Sequence, residues 1–193
     1  MSAEALALPD LAPPARHAEV AGGFGRRVHG VPDGGWDAPA PVEGWTARDV
    51  VRHLVTWFPG FLEGGTGLRL PTGPSVDDDP VAAWVAQQDA VQALLDDPAS
   101  EQRVLVNPHL GEVPLPTAVD RFYTSDVFLH TWDLARATGQ DETLDAAMCR
   151  VMLEGMEPMD ELLRSSGQYG PRVDVPAEAS VQHRLLGFIG RRP

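Results

Sequence analysis

The sequence predicts an all-α protein: an antiparallel four-helix bundle with extra short helices and one candidate β-hairpin. Three observations carry that expectation. Apolar residues recur at three- and four-residue spacing over most of the chain. Only RVLVNPHLGEVPL (103–115) changes to alternation. The helical stretches are long and their connections short, which suits antiparallel neighbours.

Residues 1–12 read as a flexible N-terminal arm ahead of a single domain over 13–193. The first helix starts near Pro13–Pro14, because proline fits a first turn. Val20, Phe24 and Val28 make its apolar stripe, and Gly22, Gly23 and Gly25 weaken it, so it must rely on packing. Residues 31–45 are loop, rich in Pro and Gly. Thr46 followed by Asp49 approximates a capping box, and the second helix carries Val50, His53, Leu54, Trp57 and Phe58 on one face. Pro59–Gly60 is expected to end or kink it. A mobile loop over 63–78 follows.

Asp79–Pro80 restarts a third helix, with Val81, Trp84, Val85, Val91, Leu94 and Leu95 running to about Asp97. Val104 and Val106, a turn at 108–111, then Val113 and Leu115 make the candidate hairpin. The fourth helix spans roughly Thr117–Thr138 with Gly139 as its stop, and its stripe is Phe122, Asp126, Leu129/His130, Asp133/Leu134 and Ala137. The fifth covers about Leu144–Leu163, with Met148, Met152, Leu153, Met156 and Met159 inward. After a loop at 165–176, Val181, Leu185, Leu186 and Ile189 mark a last short helix.

Composition narrows the function. The chain has 193 residues, with 43% hydrophobic, enough for one proper core. Its 28 acidic against 15 basic residues give a net charge of −13, a surface that repels phosphate backbones and anionic lipid heads. Neither nucleic acid nor membrane is an expected partner. One cysteine, Cys149, cannot make an internal disulfide, the first residues do not read as a signal peptide, and no run is long enough to span a membrane. A cytoplasmic protein is expected.

Two places are wrong for a plain core. His53 sits on the stripe of Val50, Leu54 and Trp57. Asp126 and His130 lie four apart between Phe122 and Leu134. Residues at that spacing share a helix face, with Cβ atoms roughly 5–6 Å apart. A buried carboxylate needs a partner, since an unpaired one costs several kcal/mol. A divalent cation held by His53, Asp126 and His130 would supply it. Two histidines with a carboxylate suit zinc first, and nickel or iron as alternatives, and leave coordination positions open. The competing readings are a hydrogen-bonded core histidine at 53 and an ordinary i,i+4 pair at 126 and 130.

VEGWTARDVVRHLVTW (42–57) and SDVFLHTWDLARATGQD (125–141) together resemble the DinB-like superfamily, and more narrowly the metal-binding domain of mycothiol-dependent maleylpyruvate isomerases with their uncharacterised actinobacterial relatives. VPAEASVQHRLLGFIGRRP (175–193) is similar to the ends of that smaller group, and the resemblance covers roughly 13–191. It implies a four-helix bundle with one metal between helices. The family's W-(T/S)-x-x-D-h-h-x-H motif matches Trp45 through His53, and its H-x-W-D-L-A motif with a ligand four residues earlier matches Asp126 and His130. It further implies metal-dependent S-transfer or isomerisation of a small electrophile with a low-molecular-weight thiol, mycothiol, as co-substrate. The characterised isomerase carries Glu where this chain has Asp126, and a further C-terminal domain, with no counterpart before Pro193, contributes to its active site. Maleylpyruvate isomerisation itself is therefore not expected.

Two other readings stand beside the enzyme: a non-enzymatic metal- or small-ligand-binding helical protein, and a plain helical scaffold that forms a homodimer. Asp133 is expected either to hydrogen-bond the site or to pair with Arg136 or Arg52. Trp45 and Trp57 are read as core packing ahead of pocket lining, Tyr123 as a hydrogen-bonding partner of a bound ligand, and Cys149 as a small buried hydrophobe ahead of a nucleophile. His17, His29, His109 and His183 receive no role.

Overall fold

The computed structural model describes residues 6–165, 167 and 169–193. It is mostly helical, and its contacts divide it into two compact units, residues 12–142 and residues 143–193 with the chain's first eleven. Among the described residues no helix is long and apolar enough to cross a membrane.

In the larger unit, α1 (Pro13–His29) packs against α3 (Pro80–Asp96) and α5 (Ser125–Thr138), and α2 (Ala47–Thr66) packs against the same two. The four close a ring around one core. Phe24 of α1 meets Trp84 of α3 edge-on with ring centres 4.5 Å apart. Gly25 lies at that crossing. A Cβ there would stand 3.2 Å from the Trp84 indole nitrogen, so the glycine that weakens α1 also lets α3 come close.

Helix α2 begins with a complete capping box: the Thr46 side chain accepts from the Asp49 N–H, and the Asp49 carboxylate accepts from the Thr46 N–H. Pro59 does not end the helix. The buried stripe Val50, Val51, Leu54, Phe58 and Leu62 continues through it, and the burial outweighs one missing N–H. The helix stops only at Thr66, before Gly67 at φ 75°. Residues 63–66, expected in a mobile loop, are thus its last turn. At the other end of that loop, Arg48 donates to the Val76 carbonyl and Arg52 grips Asp77 with two bonds of 2.8 and 3.0 Å.

The hairpin forms as expected, with β1 (Val104–Asn107) antiparallel to β2 (Gly111–Pro114). It leans on the end of α2, where Gly65 leaves the space that Leu105 takes. The next helical run starts at Leu115, slightly before the expected Thr117. It has three parts: α4 (Leu115–Ala118), a π-helical stretch (Val119–Thr124) and α5, closed by Gly139 at φ 68°.

In the smaller unit the single fifth helix expected over 144–163 is broken. Helix α6 (Ala146–Met156) gives way to a 3₁₀ turn (Glu157–Met159) and then α7 (Asp160–Ser165), because Pro158 lacks the N–H that a continued helix needs. Met148, Met152 and Met156 are buried with Leu153, whereas Met159 is only half-buried. Helix α8 (Val181–Phe188) packs on α6. Of the residues expected in the N-terminal arm, 1–5 lie outside the described residues, and Leu8–Asp10 form a 3₁₀ turn against α6.

Candidate metal centre

Helices α2 and α5 bring the three expected site residues to one point. His53 Nε2 lies 3.0 Å from one Asp126 carboxylate oxygen, and His130 Nε2 lies 3.4 Å from the other. One ligand atom from each residue fits within 4.8 Å of the other two, and among the described residues no other trio of His, Cys, Asp or Glu does this. Four ligands at about 2.0–2.2 Å from a zinc ion stand about 3.3–3.6 Å apart in a tetrahedron, and the two histidine contacts, each to a different Asp126 oxygen, are close to that spacing. The donor chemistry fits as well, with two imidazole nitrogens and a carboxylate.

Each candidate ligand is held in place. His130 is buried, and its other ring nitrogen, Nδ1, lies 2.8 Å from the carboxylate of fully buried Asp133. That contact orients the ring so that Nε2 faces Asp126. The two readings of Asp133 thus resolve toward the site. Trp57 donates its indole N–H to Asp126 at 2.9 Å, which makes it a site residue and more than packing. Burial works to raise the Asp126 carboxyl. The imidazoles of His130 and His53 and the Trp57 N–H overcome it, and the group stays ionised below the ordinary carboxylate range.

Trp45 forms a wall. The loop before α2 folds back through an isolated bridge between Pro39 and Thr46, and the Ala40 N–H bonds to the Trp45 carbonyl. The Trp45 ring then lies 5.0 Å from the His53 ring and stacks over His130 at 5.7 Å. The side chains of His53 and Asp126 keep 30% and 23% of their exposure, against 8% for His130. The centre is therefore most exposed on its His53 side.

Two other expectations change. Tyr123 is fully buried in the bundle, stacked on Phe58 at 4.2 Å, and cannot donate to a ligand arriving from solvent. His17, given no role, is also fully buried, with Nδ1 2.8 Å from the Thr124 hydroxyl. Its signal was in the sequence: it precedes Val20, Ala21 and Phe24 by three, four and seven residues, on the same face of α1. Cys149 is buried as expected, and burial pushes its thiol up to about 12.

The family model described as mycothiol maleylpyruvate isomerase N-terminal domain matches residues 17–135, the stretch that holds all three candidate ligands. Two uncharacterized proteins of Mycobacterium tuberculosis, one from strain CDC 1551 and one from strain H37Rv, are each 30% identical over 156 residues, spanning 79% of this chain and 83% of theirs. No solved structure matches this chain.

Proposed function

This chain belongs to the mycothiol maleylpyruvate isomerase N-terminal domain family, and from that premise we propose that His53, Asp126 and His130 bind one divalent metal ion in a thiol-dependent enzyme. Zinc suits the donor set best, with nickel or iron as alternatives. The reaction is S-transfer or isomerisation of a small electrophile, with mycothiol or a similar low-molecular-weight thiol as co-substrate, or with water in its place. A cytoplasmic location goes with this reading.

The supporting observation is the convergence of both Nε2 atoms on the Asp126 carboxylate. A divalent ion supplies Lewis acidity there, enough to ionise a thiol or a water near neutral pH. The protein's own groups do the rest. Asp133 orients the His130 ring, Trp57 fixes the Asp126 oxygen that also faces His53, and Trp45 covers the two imidazoles on one side. The more exposed His53 side remains for the thiol and the electrophile.

A second reading, a non-enzymatic metal- or ligand-binding protein, draws support from one observation: Asp126 already has His53, His130 and Trp57 as partners, so the cluster is stable without turnover. Elemental analysis of protein expressed with ample metal should find about one zinc, nickel or iron per chain, and none in H130A. Full occupancy in H130A overturns the ligand assignment. Thiol consumption with mycothiol and model electrophiles then separates the readings, because only the enzyme gives a metal-dependent rate.

A further inference from the structure

A second polar cluster lies inside the four-helix unit, built by α1, α3 and the π-helical stretch. His17, Gln87, Tyr123 and Thr124 are all buried, the first and the last two completely. Thr124 serves one nitrogen of His17, and the other nitrogen, Nε2, has no hydrogen-bond partner. The Tyr123 hydroxyl and the Gln87 amide nitrogen have none either. The His17 and Tyr123 rings lie 5.8 Å apart, and the Gln87 side chain lies beside the Tyr123 hydroxyl without the geometry of a hydrogen bond.

Three partnerless polar atoms on three neighbouring residues are not an accident of packing. Native interiors pair almost every buried polar group, and each one left unpaired carries its full desolvation cost. The atoms are also complementary. An amide N–H donates, a phenol donates and accepts, and a neutral imidazole nitrogen does one or the other according to its tautomer. Burial pushes His17 down to about 4, against a weaker upward pull from Asp96, so the ring is neutral and no charge calls for a counter-ion.

We propose that this cluster is a built site for one interior water molecule, bridging His17 Nε2, the Tyr123 hydroxyl and the Gln87 amide. Water is the ligand class that fits: it is small, neutral, and both donor and acceptor toward the two to four partners that a buried water requires. The site adjoins the metal centre, since Tyr123 feels the Asp126 charge and packs on Trp57, but it needs no metal there. Its effect on the fold is to fix the Tyr123 ring, on which Phe58 stacks and against which Trp57 packs edge-on at 5.9 Å.

The test is the sign of a substitution. Tyr123→Phe removes only the hydroxyl. If that hydroxyl bonds to a water, the variant of the full chain melts about 2–4 °C lower than the parent. If it is stranded in a dry core, the melting temperature stays or rises, and the proposal fails. A high-resolution crystal structure of the unaltered protein gives the second reading, and it decides the matter if the variant does not fold. A solvent peak within about 3 Å of both His17 Nε2 and the Tyr123 oxygen is expected. A dry cluster overturns the proposal whatever the melt shows.

Discussion

Two histidines in the same four-helix unit have opposite surroundings. His130 stands between two carboxylates, Asp126 at 3.4 Å and Asp133 at 2.8 Å. His17, fully buried, stands against the Thr124 hydroxyl and the Tyr123 ring, and burial outweighs the pull of Asp96 and drives its proton off. The same side chain is therefore prepared for two tasks. Carboxylates around an imidazole fix its tautomer and add negative charge that attracts a cation. Neutral partners make it a plain hydrogen-bonding group in a dry interior. Residue type alone says little about a buried histidine, and the sign of its neighbours says most of it.

The contrast can be broken most forcefully through pH. Folded His17 takes its proton at about 4, and the unfolded residue takes it near 6.5. Below 6.5 the unfolded chain binds the proton first, so stability rises with pH across this window. The contribution of a neutral His17 is complete above about 6.5 and is lost as pH falls toward 4, up to about 3 kcal/mol. Urea unfolding at pH 7 and 4.5 should show a drop in the parent that His17→Gln largely removes. Parallel behaviour of the two proteins would mean that His17 is not held neutral.

A smaller effect sharpens the other side of the comparison. Asp133→Asn keeps the shape but removes the charge behind His130, and should weaken metal binding about 10- to 100-fold, or roughly 1.4–2.8 kcal/mol. Titration with a competing chelator measures it, and an unchanged affinity would show that the buried carboxylate does not tune the ligand. The smallest effect is expected outside both clusters. Arg52 and Asp77 are 35% and 69% exposed, so Arg52→Ala should cost under about 1 kcal/mol despite two short bonds. The cost should shrink further in high salt. A larger loss, unaffected by salt, would mean that the 63–78 segment contributes to the bundle itself.

Much of this could be read from the chain. The four bundle helices, the hairpin, the Thr46 cap and the Gly139 stop follow from local patterns that the structure keeps. The three candidate ligands were visible because polar residues stood on apolar stripes. What misled was a change of phase. A single helical period through 117–138 puts Phe122 in the core and leaves Tyr123 to face a ligand. The π-helical stretch adds a residue to the turn, and Tyr123 and Thr124 go fully inside while Phe122 is only half-buried. Periodicity assumes a constant pitch, so it could not anticipate this. Pro59 and Pro158 look alike in sequence and end differently. The first is carried by Phe58 and Leu62 on either side, both wholly buried, while after the second only a partly exposed turn remains.

The position of Trp45 has an optical consequence. Its indole lies within 6 Å of both candidate imidazole ligands, and the Trp57 indole touches the carboxylate between them. Intrinsic fluorescence should thus report what enters the centre. A paramagnetic ion such as cobalt or nickel would darken those two emitters, and closed-shell zinc would leave them bright, so the protein carries its own dye for following occupancy in solution.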